Sequence, residues 1–231
     1  QTLLAEDRMP HALLFCGPEG TGKRRLAGVL AAALLCSSVE GRPCGHCDSC
    51  RSMQADTHPD FYLVEPESRG KSARSIRIEQ IRAMEIEIAR VPILAARRVV
   101  LIDEAELMNE AAANSLLKTL EEPSGQTVFI LVTSARSSLL DTIISRCTPV
   151  NFGLLTEEEL SSVLVRRGVA AAQAAVLAAL ADGSAGRAMR LSEEGGLALR
   201  DDAMALLQAL PLTDMMAVWE QGKRLGALGR E

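Results

Sequence analysis

Short apolar runs alternate with longer stretches of helical periodicity over residues 1–152 of the chain. The apolar runs are short, and they are rich enough in Val, Ile, Leu and Phe to predict strands. Strands are predicted at 12–16, 61–64, 98–102, 127–132 and 148–152, and helices at 23–35, 76–90 and 106–121. Strands that alternate with helices in this way are typical of a sheet covered on both faces. The pattern therefore predicts an α/β fold with a mainly parallel sheet.

The pattern changes after residue 152, where helical segments continue without strands. Thr156 is followed three residues later by Glu159, which predicts a capping box at the start of a helix. An Ala-rich helix is predicted at 170–181, a turn at 182–186 and a short helix at 187–193. We expect a core over 1–152 and a second, helical domain after it, with two more helical segments towards the end of the chain. Because the chain begins without Met and ends in a helical pattern, we expect it to be a truncated piece of a longer protein.

The amino-acid composition indicates a soluble globular protein and argues against a membrane protein. Of the 231 residues, 48% are apolar and 24% are charged, as in soluble globular proteins. No apolar run reaches the roughly 18 residues that would span a membrane, and charges at Glu6, Asp7 and Arg8 argue against a signal peptide. These features predict a cytoplasmic protein without a membrane partner. A formal net charge of -5 argues against a stand-alone nucleic-acid binder, so we expect any contact with DNA to be shared with partner chains.

A glycine-rich segment, Gly17-Pro-Glu-Gly-Thr-Gly-Lys23, lies between the first predicted strand and the first predicted helix. In this context such a segment is typical of a phosphate-binding P-loop, and an ordinary glycine-rich turn between strand and helix is the alternative. Glycines allow backbone N–H groups to converge on phosphate oxygens, the helix N-terminus adds positive potential, and Lys23 reaches the β and γ phosphates. The predicted nucleotide-binding residues of this segment are Gly17, Gly20, Thr21, Gly22, Lys23 and Arg24.

Arg24 departs from the P-loop pattern, because the residue after the lysine is expected to be Ser or Thr with a hydroxyl that binds Mg²⁺. The predicted strand 98–102 is followed by Asp103 and Glu104, the usual form of the second P-loop element. Asp103 would hold Mg²⁺ through water, and Glu104 would polarise the attacking water as a candidate catalytic residue. ATP with Mg²⁺ is therefore a candidate ligand. The arginine puts metal-dependent hydrolysis in doubt but leaves phosphate binding open.

Four of the six cysteines follow the spacing C-x7-C-x2-C-x2-C, at Cys36, Cys44, Cys47 and Cys50. Two consecutive C-x2-C steps allow thiolates to converge on one tetrahedral ion, and zinc is the metal that this ligand set favours. Because no catalytic residues lie nearby in sequence, the predicted Zn²⁺ site is closed and structural. Redox-active or free cysteines are the alternative, and His46 could replace one of the ligands.

The triplet Ser145-Arg146-Cys147 ends a predicted short helix just before the last predicted strand. An exposed arginine at such a position could reach out of its own subunit and stabilise charge on a neighbour's γ-phosphate. From the residues alone, a surface salt bridge is the simpler interpretation of Arg146.

Six short motifs, spread over nearly the whole chain, are shared with one known family. They are His11-Ala-Leu-Leu-Phe15, Cys44-Gly-His-Cys-Asp-Ser-Cys50, Thr57-His-Pro-Asp60, Ala111-Ala-Ala-Asn-Ser-Leu-Leu-Lys-Thr-Leu-Glu-Glu-Pro123, Ser145-Arg-Cys147 and Gly183-Ser-Ala-Gly186. With these motifs the chain resembles the clamp-loader branch of the AAA+ P-loop family, and within it the delta-prime subunits of bacterial DNA polymerase III. The resemblance implies a P-loop AAA+ core over 1–152 with a zinc-binding insert at about 36–50. It also implies a small helical lid over 153–195 and the start of a C-terminal helical collar over 196–231.

The resemblance also assigns roles to single residues. In this family Arg146 matches the arginine finger that is offered in trans to an adjacent ATPase subunit. Thr133 falls where the family has a sensor residue that faces the γ-phosphate. Gly186 occupies the place of a sensor arginine in the hydrolysing subunits, although Arg187 is next to it.

By this resemblance the chain is a scaffold subunit that helps to load a sliding clamp on primed DNA. The implied partners are a gamma/tau-like ATPase subunit, a delta-like subunit, the sliding clamp, and primer-template DNA bound through the complex. The alternative is a gamma/tau-like subunit that itself binds and hydrolyses ATP, with Thr21 or water in place of the missing hydroxyl. A P-loop small-molecule kinase is a third hypothesis, but the sequence has no convincing acceptor-binding motif.

Overall fold

The structure is a computed structural model of the 231-residue chain, and it describes residues 9–39, 41–68, 73–123, 125–193, 204–205 and 219. Contacts divide the chain into two compact units, Gln1–Gly153 and Leu154–Glu231. The collar predicted over 196–231 lies outside the described residues except for 204–205 and 219, so the three-part domain division stays a prediction. Among the helices in the described ranges, none combines the length and the apolar character that crossing a membrane requires.

The first unit contains one parallel sheet. Its elements in chain order are β1 (Ala12–Cys16), α1 (Lys23–Leu35), α2 (Asp48–Gln54), β2 (Phe61–Val64), α3 (Ile78–Ile88), β3 (Arg98–Ile102), α4 (Glu110–Glu121), β4 (Thr127–Thr133), α5 (Asp141–Ile144) and β5 (Thr148–Asn151). The strand order is β2-β3-β4-β1-β5, and all neighbouring strands pair in parallel. The predicted α/β fold with a mainly parallel sheet is therefore confirmed.

The inner strands are buried on both faces of the sheet, which explains why β1, β3 and β4 are apolar runs, whereas the edge strand β5 is mostly exposed. Successive strand residues point to opposite faces. In β1, Leu14 packs in the cluster that includes residues of α3, α4 and α5, whereas Leu13 and Phe15 pack in the cluster that includes α1. Every residue of β1, β3 and β4 is buried. Strands of this kind have no polar face, so the alternation of an exposed sheet is missing from the sequence.

The prediction of a helix over 106–121 is wrong for the first turn. A 3₁₀ turn at Ala105–Leu107 comes first, and α4 begins only at Glu110. The side chain of Asn109 accepts a hydrogen bond from the backbone N–H of Ala112 at 2.8 Å and so caps α4. Asparagine is a preferred N-cap, and this local signal sets the start of the helix.

The helix predicted over 76–90 also begins later, at Ile78. Ile76 is engaged instead with the segment that precedes α4, because its N–H donates to Leu107 O at 2.8 Å and its carbonyl accepts from Asn109 N at 3.0 Å. Arg77 then acts as the N-cap, and the Gln80 side chain accepts from its backbone N–H at 3.0 Å. A bridge between two distant segments therefore sets the start of α3, and it holds Met108 outside α4 just before the Asn109 cap.

The second unit contains three described helices, α6 (Glu157–Arg166), α7 (Ala171–Leu180) and α8 (Ala185–Glu193). The predicted capping box is present, since Glu159 N donates to Thr156 Oγ1 at 3.2 Å and Thr156 N donates to Glu159 Oε2 at 2.9 Å. α8 begins within the segment that the sequence predicted as a turn. The reason is that Ser184 Oγ accepts from Arg187 N at 3.2 Å and caps the helix.

Candidate nucleotide site and cysteine cluster

The P-loop segment lies at the carboxyl edge of the sheet. β1 ends at Cys16 beside Thr133, the last residue of β4, and α1 begins at Lys23. Gly20 and Gly22 have φ values of 76° and 86°, in the left-handed region that glycine adopts without strain. The segment therefore has the strand, tight loop and helix N-terminus that the motif predicted.

Gly17 is required by close packing as well as by its backbone conformation. Its φ is 153°, and a Cβ atom built on it would lie 2.3 Å from the carbonyl oxygen of Phe152. Phe152 N in turn donates to Cys16 O at 2.7 Å, so the segment after β5 runs directly against the start of the loop. Gly17 therefore has a structural role that does not depend on any bound phosphate.

Lys23 is buried inside the loop. Its Nζ donates to the carbonyl oxygens of Gly17 and Pro18, each at 2.7 Å. Burial lowers the pKa of Lys23, and the nearby carboxylates of Glu106 and Asp103 oppose this shift. The Thr21 hydroxyl donates to Pro18 O at 2.9 Å, so its proton is also directed into the loop.

Arg24 makes an ion pair with Asp103, the residue predicted to hold Mg²⁺. Its Nη1 lies 2.7 Å from Asp103 Oδ2 and 2.5 Å from Glu65 Oε1. Burial by itself would lower the pKa of the Arg24 guanidinium, but the two carboxylates outweigh it and raise that pKa. The arginine therefore stays charged and occupies one side of the Asp103 carboxylate.

Glu104, the predicted catalytic carboxylate, is also paired with an arginine. Its Oε1 accepts from Arg74 Nη2 at 3.0 Å. Glu104 has a φ of 46°, a left-handed conformation that is uncommon for residues other than glycine and that strained functional loops often contain. Both acidic residues after β3 thus have cationic partners within the chain.

Thr133 and Glu106 lie near each other at the end of β4. Thr133 is buried, and its Oγ1 accepts from Ala135 N at 3.1 Å. Glu106 Oε1 accepts from Ser134 N at 3.0 Å and from Ser134 Oγ at 2.6 Å. Burial would raise the pKa of Glu106, but these hydrogen bonds outweigh it and lower that pKa. Sequence reasoning missed Glu106, because nothing in the sequence distinguishes it from a residue on a helix surface.

Arg146 lies just after α5 and is held by its own chain. Its Nη1 donates to Thr142 O at 2.8 Å, and its Nη2 pairs with Glu121 Oε1 at the end of α4. The side chain of Arg146 is 33% exposed. The surface salt bridge that the residues alone suggested is therefore present, and it brings together the Ser-Arg-Cys triplet and the Glu-Glu-Pro end of the α4 motif.

The four predicted cysteine ligands converge on one point. Their Sγ atoms all lie within 4.8 Å of one another, with 3.8 Å between Cys36 and Cys47 and 3.9 Å between Cys44 and Cys50. A tetrahedron of sulfur atoms about 2.3 Å from a zinc ion has edges of about 3.8 Å. All four are free thiols in the structure. The cluster therefore has the donor set and the size that a tetrahedral metal ion requires.

Backbone N–H groups surround the sulfur atoms. Cys47 N donates to Cys44 Sγ at 3.4 Å and Cys50 N donates to Cys47 Sγ at 3.4 Å. The Ser37 hydroxyl and the Cys50 N–H lower the pKa of the Cys47 thiol to about 5, whereas burial raises the pKa of Cys50 to about 12. His46 is turned to the Cys44 carbonyl oxygen, at 2.9 Å from Nδ1, and is not among the ligands.

The helix α2 was not predicted. Cys47 is its N-cap, so the third ligand of the cluster starts the helix that carries the fourth, Cys50. Sequence reasoning took this segment only as a cysteine insert. The sequence signal for the start of α2 was the pair Cys47-Asp48. Cys47 can accept a hydrogen bond as an N-cap does, and Asp48 places a negative charge in the first turn.

The motif Thr57-His-Pro-Asp60 forms a buried polar support. Asp60 accepts from the backbone N–H groups of Ile93, Leu94 and Ala95 at 2.7–2.8 Å, and Arg98 Nε lies 3.8 Å from its Oδ1. Burial would raise the pKa of Asp60, but the three N–H donors outweigh it and lower that pKa. The motif therefore fixes the loop before β3 and makes no contact with the P-loop among the hydrogen bonds described for it.

Gly183 of the Gly-Ser-Ala-Gly motif is required by packing within the second unit. Its φ is 77°, and an added Cβ would lie 2.5 Å from Leu155 O. Arg187 Nη1 pairs with Asp182 Oδ2 at 2.5 Å, and Gly186 lies within α8. The motif thus joins the turn before α8 to the segment before α6.

The fold is shared with a solved structure of another protein. A DNA polymerase III gamma subunit-related protein from Thermotoga maritima superposes with a TM-score of 0.53 at 18% sequence identity, over 97% of this chain and 76% of that chain. At this identity the likeness shows the fold alone. The predicted P-loop AAA+ fold class is confirmed by it together with the parallel five-stranded sheet.

Sequence comparisons identify the family. The family model described as DNA polymerase III, delta subunit, matches residues 1–156. The chain is 46% identical over 138 residues to DNA polymerase III subunit delta' of Pseudomonas aeruginosa, covering 59% of this chain and 41% of that protein. It is 36% identical over 208 residues to the delta' subunit of Escherichia coli, covering 88% of this chain and 61% of that protein. The chain thus spans between 41% and 61% of the length of these curated relatives. The chain belongs to the DNA polymerase III delta subunit family, in agreement with its resemblance to delta-prime subunits.

Proposed function

We propose that the protein is a delta-prime-like scaffold subunit of the DNA polymerase III clamp loader, which helps to load the sliding clamp on primed DNA. Its relatives named delta' support this assignment. The observation that carries the scaffold role is the pairing of Asp103 and Glu104, the two carboxylates a hydrolysing subunit would use, with Arg24 and Arg74. A chain with this arrangement contributes to a neighbour's hydrolysis rather than to its own.

Arg146 is the group that would act in trans. In the free chain it is paired with Glu121, and both side chains are partly exposed. Exposed ion pairs of this kind contribute about 0.2–1 kcal/mol, so releasing Arg146 costs little. An arginine finger contributes roughly 10³–10⁵ in rate, or about 4–7 kcal/mol in the transition state. The gain at a neighbour's γ-phosphate therefore exceeds the cost of leaving Glu121.

The nucleotide-binding residues of the chain would have a reduced role in this function. Gly17, Gly20, Thr21, Gly22 and Lys23 supply the loop geometry, and Thr133 lies at the end of the adjacent strand. The loop carbonyls already satisfy Lys23, and Arg24 lies on Asp103. Phosphate binding by the loop backbone is compatible with this geometry, but water activation by Glu104 would require the loss of its contact with Arg74.

The cysteine cluster is proposed to hold a structural Zn²⁺ ion. Four thiolates fill a tetrahedral coordination shell, so no position is left for a substrate. The distances of 3.8 Å and 3.9 Å between the sulfur pairs support zinc as the ion. The role of such an ion would be to stabilise α2 and the loop that precedes it.

The proposed partners are a gamma/tau-like ATPase subunit, a delta-like subunit and, through the assembled loader, the sliding clamp and primer-template DNA. The net charge of -5 supports DNA contact through the complex rather than by this chain alone. The helical collar over 196–231 would contribute to assembly. The proposal places the protein in the bacterial cytoplasm.

The test is the DNA- and clamp-stimulated ATPase of a loader reconstituted with the full-length protein. Replacing Arg146→Ala should lower turnover at least tenfold, since a finger contributes roughly 10³ or more. Arg82→Ala, which removes an exposed arginine from α3, is the matched control and should leave turnover unchanged. Unchanged turnover for Arg146→Ala, with both loaders assembled to the same extent, would sink the trans-arginine role.

The hydrolysing alternative is tested with the isolated protein. If the chain were gamma/tau-like, it would turn over ATP in the steady state, and Lys23→Ala would abolish that turnover because the lysine contacts the β and γ phosphates. The scaffold proposal expects no difference between wild type and Lys23→Ala. Turnover above the variant's level would favour the alternative.

A further inference from the structure

Mg²⁺ does not fit the residues of this P-loop. The ion requires oxygen ligands at about 2.0–2.1 Å in octahedral geometry, whereas a guanidinium offers only N–H donors and no lone pair. Here the guanidinium of Arg24 stands where the fold has a metal-binding hydroxyl, and it contacts Asp103 Oδ2 at 2.7 Å. The one carboxylate that would anchor the ion is therefore hydrogen-bonded to a fixed cation.

The ends of two neighbouring strands build this pair. β2 pairs with β3 so that Val64 lies beside Ile102, and Asp103 N donates to Val64 O at 3.0 Å. Glu65 and Asp103, which follow these two residues, therefore lie side by side. Arg24, from the first turn of α1, reaches both carboxylates with one nitrogen, Nη1. Three elements of the core thus hold the contact.

The charge balance at the site also differs from that of a magnesium site. Arg24 brings one positive charge to two carboxylates, so the three groups together carry one negative charge. Mg²⁺ brings two positive charges and is held next to the phosphates of the nucleotide. The guanidinium repels such an ion at short range, and it does not supply the same attraction for phosphate.

We propose that Arg24 takes the place of the divalent cation at this P-loop, so that Mg²⁺ adds nothing to its affinity for nucleoside phosphates. Removing the guanidinium would then expose Asp103 and turn the loop into a magnesium-dependent nucleotide site.

The experiment titrates the purified protein with fluorescently labelled ADP, in excess Mg²⁺ and again in excess EDTA. Wild type should bind ADP with the same affinity in both buffers, because only the loop backbone and Lys23 would contact the phosphates. Arg24→Thr restores the hydroxyl and frees Asp103, so its affinity in Mg²⁺ should exceed that in EDTA at least about tenfold, which corresponds to about 1.4 kcal/mol. Arg24→Gln serves as a second variant, because it keeps a long polar side chain but removes the charge.

Arg25→Thr is the matched control, since it removes the neighbouring exposed arginine of α1. It should behave as wild type in both buffers. The double variant Arg24→Thr with Asp103→Asn should lose the gain, because the uncovered carboxylate is then missing. Circular dichroism verifies that each variant is folded.

Two results would overturn the proposal. One is tighter ADP binding by wild type in Mg²⁺ than in EDTA. The other is a lack of any magnesium-dependent gain in both folded Arg24 variants, which would show that something other than the guanidinium excludes the ion. Because the titration needs no partner subunit, either result would leave the role of Arg146 in the assembled loader standing.

Discussion

The cysteine cluster and the P-loop edge differ in how much of their chemistry the chain retains. At the cluster, four sulfur atoms converge to distances that suit a metal ion. At the P-loop edge the loop geometry is present, but Arg24 and Arg74 pair with the carboxylates that a metal and a water would need. A loop can therefore have the backbone geometry of a P-loop while the nearby carboxylates pair with arginines of the same chain.

The physical reason lies in what else each region supports. The P-loop backbone is part of the core, since Gly17 packs against Phe152 O and Lys23 is buried beneath the loop. The cysteine segment has little core of its own, because α2 buries only Ser49 and Cys50. A loop that packs into the core is stable without a ligand, whereas we expect a segment with so few buried residues to need a bound metal ion.

Loss of one cysteine ligand should have the largest effect. In Cys47→Ser the cluster loses a thiolate, so the protein should release its metal and the amides of α2, which Cys47 precedes, should lose protection from hydrogen exchange. Zinc binding contributes about 10–16 kcal/mol in small zinc peptides, and with the proposed ion in place part of that free energy would stabilise this segment. Metal analysis and hydrogen exchange are the measurements. His46→Ala should retain its metal, and equal metal content in Cys47→Ser would contradict the assigned ligand set.

Gly17→Ala tests whether the loop is kept for the fold. The new Cβ would lie 2.3 Å from Phe152 O. The free energy of unfolding, measured in denaturant without nucleotide, should therefore be about 1–3 kcal/mol lower than in wild type. Gly28→Ala is the matched control, because its Cβ would meet nothing within 4 Å inside α1. It should stabilise the protein by about 0.5–1 kcal/mol. Equal stability of wild type and Gly17→Ala would mean that the loop moves freely from Phe152.

Lowering the pH should reduce the free energy of unfolding, because Glu106 loses its charge. Its folded pKa is lowered, so the unfolded chain binds more protons as the pH falls. The contribution of Glu106 to stability is present above its ordinary pKa of 4.5 and is lost as the pH falls through the lower folded value. Glu106→Gln should therefore flatten the acid limb of stability against pH, as followed by denaturant unfolding. An identical slope in wild type and variant would count against the contact with Ser134.

The smallest effect is expected for the pair between Arg74 and Glu104. Both side chains are more than one third exposed, so a double-mutant cycle should give a coupling of only about 0.2–1 kcal/mol that falls with added salt. Arg74→Ala, Glu104→Gln and the double variant are compared by denaturant unfolding. A coupling well above this range would show that the acidic turn is held as firmly as the cysteine cluster.

Sequence reasoning was most accurate where a residue's surroundings are set by its own neighbours in the chain. The bounds of β1, β2 and β3 were predicted to the residue, since both ends of each apolar run are marked by polar or turn residues. The starts of α3 and α4 were wrong, because the bridge between Ile76 and Met108 competes with the first turn of each helix. The role of Asp60 was also missed, since its three N–H partners lie more than thirty positions away.

By itself, the sequence determined the strand and helix alternation, the P-loop with its Arg24 departure and the spacing of the four cysteines. These follow from periodicity, glycine placement and ligand spacing, which act over a few residues. Only the tertiary structure decided that Arg24 lies on Asp103, that Arg146 rests against Glu121 and that Glu106 caps the end of β4. Such pairs depend on which strand ends lie side by side in the sheet. The order of parallel strands is set by contacts between distant segments, so a local sequence pattern does not predict it.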